Sequence, residues 1–308
     1  FVGKDSIDKN FSKALSSVRL NLAQAIINGN HYKISIADIN LWTQIILNRI
    51  LFIRVCEARG LERDGLLKDF AATDFWTEFK RSSYIDFYEH YDGPMFARIR
   101  HIQDLIIDNA VFDDLLSYLY YPSPYCFDVI PLKSISDIYD LFLGYHLEYD
   151  DSGILENVLK SEFRKSNGAV TTPEHIVHNT IDSTVPSEYL QSLTNQQILD
   201  LKFLDPACGS GVFLVSIYDH LATQIESNIE ERKDVLPHRY LYEKDGKKYL
   251  NLEGRKLIVN QCLHGVDINQ ECVEVAKLSL SLKIIDGFDR SISTMLVSTV
   301  HRFCTEWV

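Results

Sequence analysis

The sequence predicts an α-helical domain over residues 1–150, followed by an α/β domain with a parallel sheet over residues 151–308. Three observations carry this prediction. Glycine is sparse in the first 150 residues, where apolar side chains recur at helical spacing. After residue 200, an apolar segment runs into a glycine turn and a second apolar stretch, which is typical of a strand, a tight turn and a helix. Residues 263–267 then repeat the strand pattern ahead of another helical stripe, and this order favours a parallel sheet.

The clearest helix of the first domain is predicted to begin after Ser35 and to stop near Gly60. Ser35 and Asp38 have the spacing of a capping box, with Asp where Glu is usual. Glycine commonly follows the last turn of a helix, which makes Gly60 the expected stop. Further helical patterns cover residues 102–116 and 135–144, so a helical bundle or spacer is predicted. The stripe of the first helix consists of Trp42, Ile45, Ile46, Arg49, Ile50 and Ile53.

The α/β domain is predicted from two apolar segments that each end in an acid. Residues 198–204 precede Asp205, and residues 212–221 form the helix after the glycine turn. The second segment ends at Asp267, which lies 62 positions after Asp205 and is too far for a bare βαβ step. Residues 228–262 are therefore predicted to be an insertion. Within it, Asp245-Gly246 marks either a hairpin turn or an ordinary surface loop. The helical stripe after Asp267 consists of Val273, Ala276, Leu280 and Ile284.

Composition and charge limit the classes of function. Of 308 residues, 46% are hydrophobic, which is enough for a sizeable core. Residues 1–150 hold 15 Lys and Arg against 21 Asp and Glu, and residues 151–308 hold 16 against 22, so each part carries −6. Neither part has a net basic charge to hold nucleic-acid phosphates unaided. No uninterrupted apolar run approaches the roughly 18 residues of a membrane span. The six cysteines form no CxxC pair, which argues against zinc and fits reduced thiols of a cytoplasmic protein.

The most specific signal is the string DPACGSGVFL at residues 205–214. An acid closes a strand, and glycines let the backbone turn sharply and approach a ligand. The helix N-terminus that follows supplies free N–H groups and a partial positive charge. The string therefore predicts a ligand-binding turn, with a tight β–α turn that binds nothing as the alternative.

Two further elements carry candidate binding residues. Asp267 at the end of the second strand has the position from which an acid accepts hydrogen bonds from both ribose hydroxyls of a nucleotide cofactor. A plain helix N-cap is the alternative for Asp267. Thr172-Pro173 is expected to open a helix, with Thr172 as the cap and Pro173 in the first position.

These elements resemble the S-adenosylmethionine-dependent amino-methyltransferases that act on DNA. The string at 205–214 matches their motif I completely through Gly211, and GVDIN at 265–269 resembles their acidic motif. Gly168, Thr172 and Pro173 match the motif often numbered ten, although Thr171 stands where an aromatic residue is usual. The resemblance implies a Rossmann-like domain that binds S-adenosyl-L-methionine, of which residues 151–308 hold the N-terminal half.

The resemblance also implies roles for single residues. Asp205 and the glycine turn would hold the methionine end of the cofactor, and motif ten would close over its carboxylate. Asp267 would bind the ribose and Ile268 would pack against adenine. The cofactor-binding residues implied in this way are Thr172, Pro173, Asp205, Pro206, Ala207, Cys208, Gly209, Gly211, Phe213, Asp267 and Ile268.

The order of the motifs narrows the family. Motif ten, motif one and then the acidic motif is the order of adenine-N6 methylases with a C-terminal target-recognition domain. NRILFIR at 48–54 and EARGL at 57–61 resemble the helical region ahead of the methylase in type IIG restriction-modification enzymes, and residues 138–144 fit its end. The resemblance implies a DNA adenine-N6 methyltransferase of a restriction-modification or phage-defence system. Its partners would be double-stranded DNA and nuclease or specificity segments of the same system.

Other expected parts are missing from the sequence. No Asn/Asp-Pro-Pro-aromatic string, which positions the amine of a flipped base, occurs in it, and residues 290–308 match no motif. No catalytic residue and no metal ligand is assigned, and the chain alone is predicted to be inactive. Glu78-Phe79-Lys80, with Asp69 or Asp74 upstream, matches the residue pattern of a metal-dependent nuclease site, but such triplets often arise by chance in helices. The alternatives are a methyltransferase that acts on protein or RNA, and a non-catalytic scaffold with a vestigial cofactor fold.

Overall fold

A computed structural model describes residues 4–91, 94–123, 125, 127, 144–159, 172–232, 234 and 236–288. The chain divides into two compact units. The first consists of Phe1–Val170 with Gly287–Val308, and the second of Thr171–Asp286. The helical pattern predicted at 135–144 lies outside the described residues except for Gly144. Gly168, Thr171 and residues 290–308 lie outside them as well.

The described part of the first unit consists of helices and one antiparallel hairpin. Its 3-10 turn is Pro94–Phe96, and its strands are β1 (Tyr145–Tyr149) and β2 (Leu155–Leu159). Its helices are α1 (Lys4–Gly29), α2 (Ile36–Ala58), α3 (Leu66–Ala71), α4 (Phe75–Tyr84), α5 (Asp86–Tyr91), α6 (Arg100–Gln103) and α7 (Ala110–Leu119).

Helix α2 begins and ends where the sequence predicts. Asp38 donates its backbone N–H to the Ser35 hydroxyl oxygen at 3.1 Å, and that hydroxyl donates to the Asp38 carboxylate at 2.6 Å. Gly60 follows the helix with φ of +72°, a backbone conformation that glycine adopts at no steric cost. The predicted cap and stop are confirmed.

Helix α2 is the central core helix of its unit. By length and composition it could cross a membrane, since an 18-residue window has a mean hydropathy of 1.3, but 78% of that window is buried inside the protein. The buried Arg49 guanidinium donates to the carbonyls of Met95 and Ala97 at 2.7 and 2.8 Å. Burial of a charged group costs free energy unless it is hydrogen-bonded in this way. These contacts identify α2 as a helix that packs within the protein.

The hairpin belongs to the first unit. Tyr145 lies opposite Leu159 and Tyr149 opposite Leu155, so the turn contains residue 150. The Asn40 side-chain amide of α2 donates to the Leu147 carbonyl and accepts from the Leu147 N–H, both at 2.9 Å. The sequence pattern changes from helical to mixed α/β near residue 150, where the domain boundary is predicted. In the structure this position lies within the turn of the hairpin, which packs with the first unit.

The helical pattern predicted over residues 102–116 is interrupted. Helix α6 ends at Gln103 and α7 begins at Ala110. Side chains bind the backbone groups in between: the Trp76 indole N–H donates to the Leu105 carbonyl at 2.8 Å, and the Asn30 amide oxygen accepts from the Ile106 N–H at 3.1 Å. These bonds replace those of a continuous helix, and the two halves of the pattern form separate helices.

The second unit is an α/β structure. Its 3-10 turn is His238–Tyr240, and its strands are β3 (Phe203–Asp205), β4 (Leu241–Lys244), β5 (Lys247–Leu250) and β6 (Leu263–Gly265). Its helices are α8 (Glu174–Thr184), α9 (Ser187–Ser192), α10 (Asn195–Asp200), α11 (Val212–Arg232), α12 (Leu252–Cys262) and α13 (Gln270–Ile285).

The strands β3 and β6 are parallel neighbours, with Phe203 opposite Leu263 and Asp205 opposite Gly265. Among the described residues this parallel sheet has two strands, so the full Rossmann-like sheet stays a prediction. The first strand is shorter than predicted, because residues 198–200 belong to α10. Thr194 and Gln197 form a capping box that starts this helix and draws the apolar Ile198 into it.

The predicted insertion contains the end of α11, the hairpin β4–β5 and helix α12. Asp245 and Gly246 have φ of +53° and +76°, as a tight two-residue hairpin turn requires. Tyr242 and Tyr249 face each other across the strands, with ring centroids 5.5 Å apart. Of the two alternatives for Asp-Gly, the hairpin is the correct one.

Candidate functional site

The carboxyl ends of β3 and β6 meet at one edge of the sheet. The parallel pairing continues past the strands, since the Val266 N–H donates to the Asp205 carbonyl at 2.9 Å and the Cys208 N–H donates to the Val266 carbonyl at 3.0 Å. These two bonds bring residues 205–208 and 266–267 together. Such an edge is where open α/β sheets bind ligands.

The two glycines of the turn have different surroundings. Gly209 and Gly211 have φ of +52° and +88°, in the region that favours glycine. A Cβ on Gly209 would have no atom within 4 Å, whereas one on Gly211 would lie 3.2 Å from the Ala276 Cα. Gly209 therefore presents its backbone to open space, and Gly211 allows α13 to approach the turn.

Asp267 connects the turn to the start of α13. Its Oδ2 accepts a hydrogen bond from the Gly209 N–H at 2.9 Å, and its Oδ1 accepts one from the Asn269 N–H at 2.7 Å. The cap of α13 is Asn269, whose side chain accepts from the Glu271 N–H at 3.0 Å. Asp267 is therefore not the helix cap, and the plain-cap alternative is wrong.

Asp205 has one hydrogen-bonded and one unpaired carboxylate oxygen. Its Oδ1 accepts from the Ala207 N–H at 3.1 Å. Its Oδ2 is buried and has no hydrogen-bond partner in the structure. Because an unpaired buried acceptor is costly, this oxygen fits a site that a ligand donor completes.

Cys208 has a packing role in the turn. A Cβ on Gly265 would lie 3.1 Å from the Cys208 Sγ, so the thiol sits directly against the end of β6. Burial raises the pKa of Cys208, and the charges of Asp205 and Asp267 raise it further. The thiol therefore stays protonated and poorly nucleophilic at neutral pH.

Apolar side chains are exposed at the same edge. Ile268 is fully exposed, and more than half of the surfaces of Leu204 and Val266 is accessible. Pro206 and Ala207 are exposed and Phe213 is half-buried. An exposed branched side chain beside an acid can pack on a planar ring while the acid binds hydroxyls, so the pair Asp267 and Ile268 suits a nucleoside.

The charges of the site complement those of a zwitterionic ligand. The N-terminus of α11, at Val212, carries partial positive charge and free N–H groups for a carboxylate. The carboxylates of Asp205 and Asp267 supply acceptors for ammonium and hydroxyl donors. These residues fit S-adenosyl-L-methionine, which carries a carboxylate, an ammonium group and ribose hydroxyls.

The motif-ten residues lead into α8, which packs against α11, the helix that follows the glycine turn. Thr172 is half-buried and Pro173 is exposed. Helix α8 buries Val177 and Ile181 and lies against α11. The predicted cap is wrong, since Pro173 occupies the N-cap position with ψ of 139° and makes no side-chain cap bond. Pro173 has no N–H, and the Thr172 side chain lies one residue too early to cap.

The residues that match the nuclease pattern form hydrogen bonds or ion pairs that support the helices. The Asp74 carboxylate caps α4 through the Thr77 N–H, and Glu78 pairs with Arg81 at 2.9 Å. Lys80 donates to the carbonyls of Gln103 and Leu105. Within the described ranges, no group of three or more His, Cys, Asp or Glu side chains is arranged to hold a metal ion.

Sequence reasoning missed two contacts of the site. The bond between Gly209 and Asp267 joins residues far apart in the chain, and no local pattern indicates it. The approach of Ala276 to Gly211 does have a signal in the sequence. Ala276 is a small residue in an otherwise bulky apolar stripe, on a helix that is expected to pass a glycine turn.

Comparison with known proteins finds similarity to methyltransferases. Residues 179–289 match the family described as MmeI, DNA-methyltransferase domain. Over 290 residues the chain is 29% identical to the type II restriction enzyme and methyltransferase RM.Eco57I of Escherichia coli, an alignment that covers 92% of this chain and 28% of that protein. The chain thus spans less than a third of that relative's length.

A solved structure shares the fold. The type IIL restriction-modification enzyme MmeI, whose structure was determined in complex with DNA, matches with a TM-score of 0.51 and 16% identity. The match covers 90% of this chain and 37% of that chain. The resemblance drawn from the motifs is confirmed: the chain is similar to the N-terminal part of type II restriction-modification enzymes that carry a methyltransferase domain.

Proposed function

We propose that this chain is the cofactor-binding part of a DNA adenine-N6 methyltransferase that uses S-adenosyl-L-methionine and belongs to a restriction-modification system. The observation that carries the proposal is the meeting of Asp205, the Gly209 turn and Asp267 at adjacent carboxyl ends of parallel strands. The match of residues 179–289 to a DNA-methyltransferase family supports the same reaction class.

Each residue of the site has a role in this proposal. The free N–H groups of the α11 N-terminus bind the methionine carboxylate, and the unpaired Oδ2 of Asp205 accepts a hydrogen bond from the methionine end. Asp267 accepts from the ribose hydroxyls with its remaining lone pairs, and Ile268 packs on the adenine ring. When bound, the cofactor supplies an electrophilic methyl group on a sulfonium sulfur. The chain's own residues contribute binding and orientation, which together fix the direction of that methyl group.

Cofactor titration tests the proposal and separates it from its alternatives. Calorimetry of the chain with S-adenosyl-L-methionine is expected to give saturable 1:1 binding. A non-catalytic scaffold with a vestigial site would bind nothing, and that result would overturn the proposal. A methyltransferase for protein or RNA would bind the cofactor equally well. Methyl-acceptor assays on the longer enzyme, with DNA, RNA and protein in parallel, distinguish that case.

A further inference from the structure

We propose that Ala276, near the middle of α13, is a positioning residue that fixes the glycine turn through its contact with Gly211. The inference rests on the proposed function, because cofactor affinity is its main readout. Ala276 is buried, with 5% of its surface exposed, and it lies outside the motifs that point to the cofactor.

The contact between Ala276 and Gly211 leaves no spare room. A Cβ on Gly211 would lie 3.1 Å from the Ala276 Cβ and 3.2 Å from its Cα. The second distance involves a backbone atom, which cannot move aside as a flexible side chain does. Helix α13 therefore rests directly on the backbone of the turn.

Gly211 in turn sets the geometry of the backbone on both sides of it. Its N–H donates to the Cys208 carbonyl at 2.8 Å, and its carbonyl accepts from the Val215 N–H at 2.9 Å. The first bond closes the turn and the second begins α11. A displacement of Gly211 therefore changes the direction of the N–H groups that are proposed to bind the cofactor.

The same helix also holds the acid of the site. Asn269 caps α13, and its N–H donates to Asp267 at 2.7 Å. One rigid element thus contacts the turn through Ala276 and the acid through Asn269. Because α13 touches both, it sets the distance between the Gly209 amide and the Asp267 carboxylate. No atom lies within 4 Å of a Cβ position on Gly209, so that side of the turn stays open for a ligand.

A larger side chain at position 276 is expected to push α13 away from the turn. Overpacking of this kind displaces backbone as well as side chains. A displacement of a fraction of an ångström moves the turn and the acid apart and lowers cofactor affinity. The core of the unit, which has many other contacts, is expected to keep its fold.

The test compares Ala276→Val and Ala276→Ser with the control Ala222→Val, which makes the same enlargement at a half-buried position of α11. Calorimetry with S-adenosyl-L-methionine is expected to show about a tenfold or greater loss of affinity for Ala276→Val, because misplaced binding groups are costly. A smaller loss is expected for Ala276→Ser. Ala222→Val should bind like the wild type. Thermal unfolding of each protein reports whether the fold persists.

A second readout does not depend on stability or on cofactor. The amide NMR signal of Gly209 in the cofactor-free protein should shift in Ala276→Val and stay in place in Ala222→Val. Wild-type affinity in Ala276→Val, or an equal loss in Ala222→Val, would overturn the inference. If Ala276→Val does not fold, unchanged affinity and an unchanged Gly209 signal in Ala276→Ser overturn it. Absence of binding by the wild type would contradict the proposed function instead, and the Gly209 signal alone would then decide the role of Ala276.

Discussion

The carboxylate of Asp267 accepts a hydrogen bond from the backbone N–H of Gly209, at 2.9 Å, across 58 positions of the chain. This bond joins the glycine turn after one strand to the acid after its parallel neighbour. A ligand at the sheet edge therefore meets the turn and the acid as one preformed surface. Preformed sites bind more tightly, because less ordering is needed on binding.

Replacement of Asp267 by alanine is expected to weaken S-adenosyl-L-methionine binding by about 1–3 kcal/mol, the typical cost of leaving a buried polar partner unpaired. The variant loses the acceptor for the Gly209 N–H and the proposed acceptor for the ribose. Calorimetry on both proteins measures the difference. Asp182→Ala, at an exposed position on α8, is the control and should bind normally. Equal affinities of Asp267→Ala and wild type would mean that Asp267 only supports the start of α13.

Gly209→Val is expected to abolish cofactor binding while the helical circular dichroism is preserved. A β-branched residue is strained at φ of +52°, and its side chain would fill the open side of the turn. The matched control is Gly246→Val, which places the same residue at φ of +76° in the β4–β5 turn. That variant should keep its affinity. Normal binding by Gly209→Val would show that the turn is not the cofactor cradle.

The 308-residue chain alone is expected not to methylate DNA, even when it binds cofactor. Its sequence has no Asn/Asp-Pro-Pro-aromatic string to hold the adenine amine, and its net charge is −12, which weakens the phosphate contribution to DNA binding. Tritiated methyl transfer to mixed-sequence DNA at low salt is the measurement. Incorporation above background that disappears in Asp205→Ala would contradict this expectation.

Gly254→Ala is expected to destabilise the second unit by about 1–3 kcal/mol, the usual range for overpacking. A Cβ at this position of α12 would clash with the Tyr240 carbonyl oxygen, which is a backbone atom. In an uncrowded helix, the same change would instead stabilise the protein. Urea unfolding of both proteins measures the effect, and an unchanged or higher midpoint would show that the backbone at Tyr240 yields easily.

Stability of the first unit is expected to depend on the protonation of Glu57. Burial raises the pKa of Glu57, although its carboxylate accepts from the Tyr120 hydroxyl at 2.6 Å and the Leu67 N–H at 2.9 Å. The folded protein therefore takes up the proton at a higher pH than the unfolded chain, and this group adds stability as the pH falls through its raised pKa. Urea unfolding should show the wild type gaining stability relative to Glu57→Gln as the pH is lowered from neutral toward 4.5, the ordinary pKa of a glutamate. A constant difference between the two proteins would contradict the raised pKa.

Features that depend on neighbouring residues could be predicted from the sequence. The Ser35 cap, the Asp245-Gly246 hairpin and the strand–turn–helix around Gly209 each need only a few consecutive side chains and their backbone preferences. For the same reason, the ten-residue string at 205–214 was enough to locate the candidate site.

The errors have two sources, local signals that were overlooked and tertiary contacts that no local signal shows. Ile198 is apolar enough for a strand, but the neighbouring capping box of Thr194 and Gln197, a local signal, places it in a helix. Thr172 was a reasonable cap by residue type, yet the chain enters α8 one residue later. Local periodicity cannot show which residue of α13 meets the turn, because that depends on how the helix packs across the sheet.

The bonds between Asn40 and Leu147 also close an edge of the β1–β2 hairpin. Exposed N–H and C=O groups on an edge strand invite pairing with strands of other molecules, which leads to aggregation. The Asn40 amide takes both backbone groups of Leu147, each at 2.9 Å, and Arg19 takes the carbonyl of Tyr145 at 3.2 Å. At Tyr145 and Leu147, this edge of the hairpin therefore presents fewer free backbone groups to a strand of a second chain.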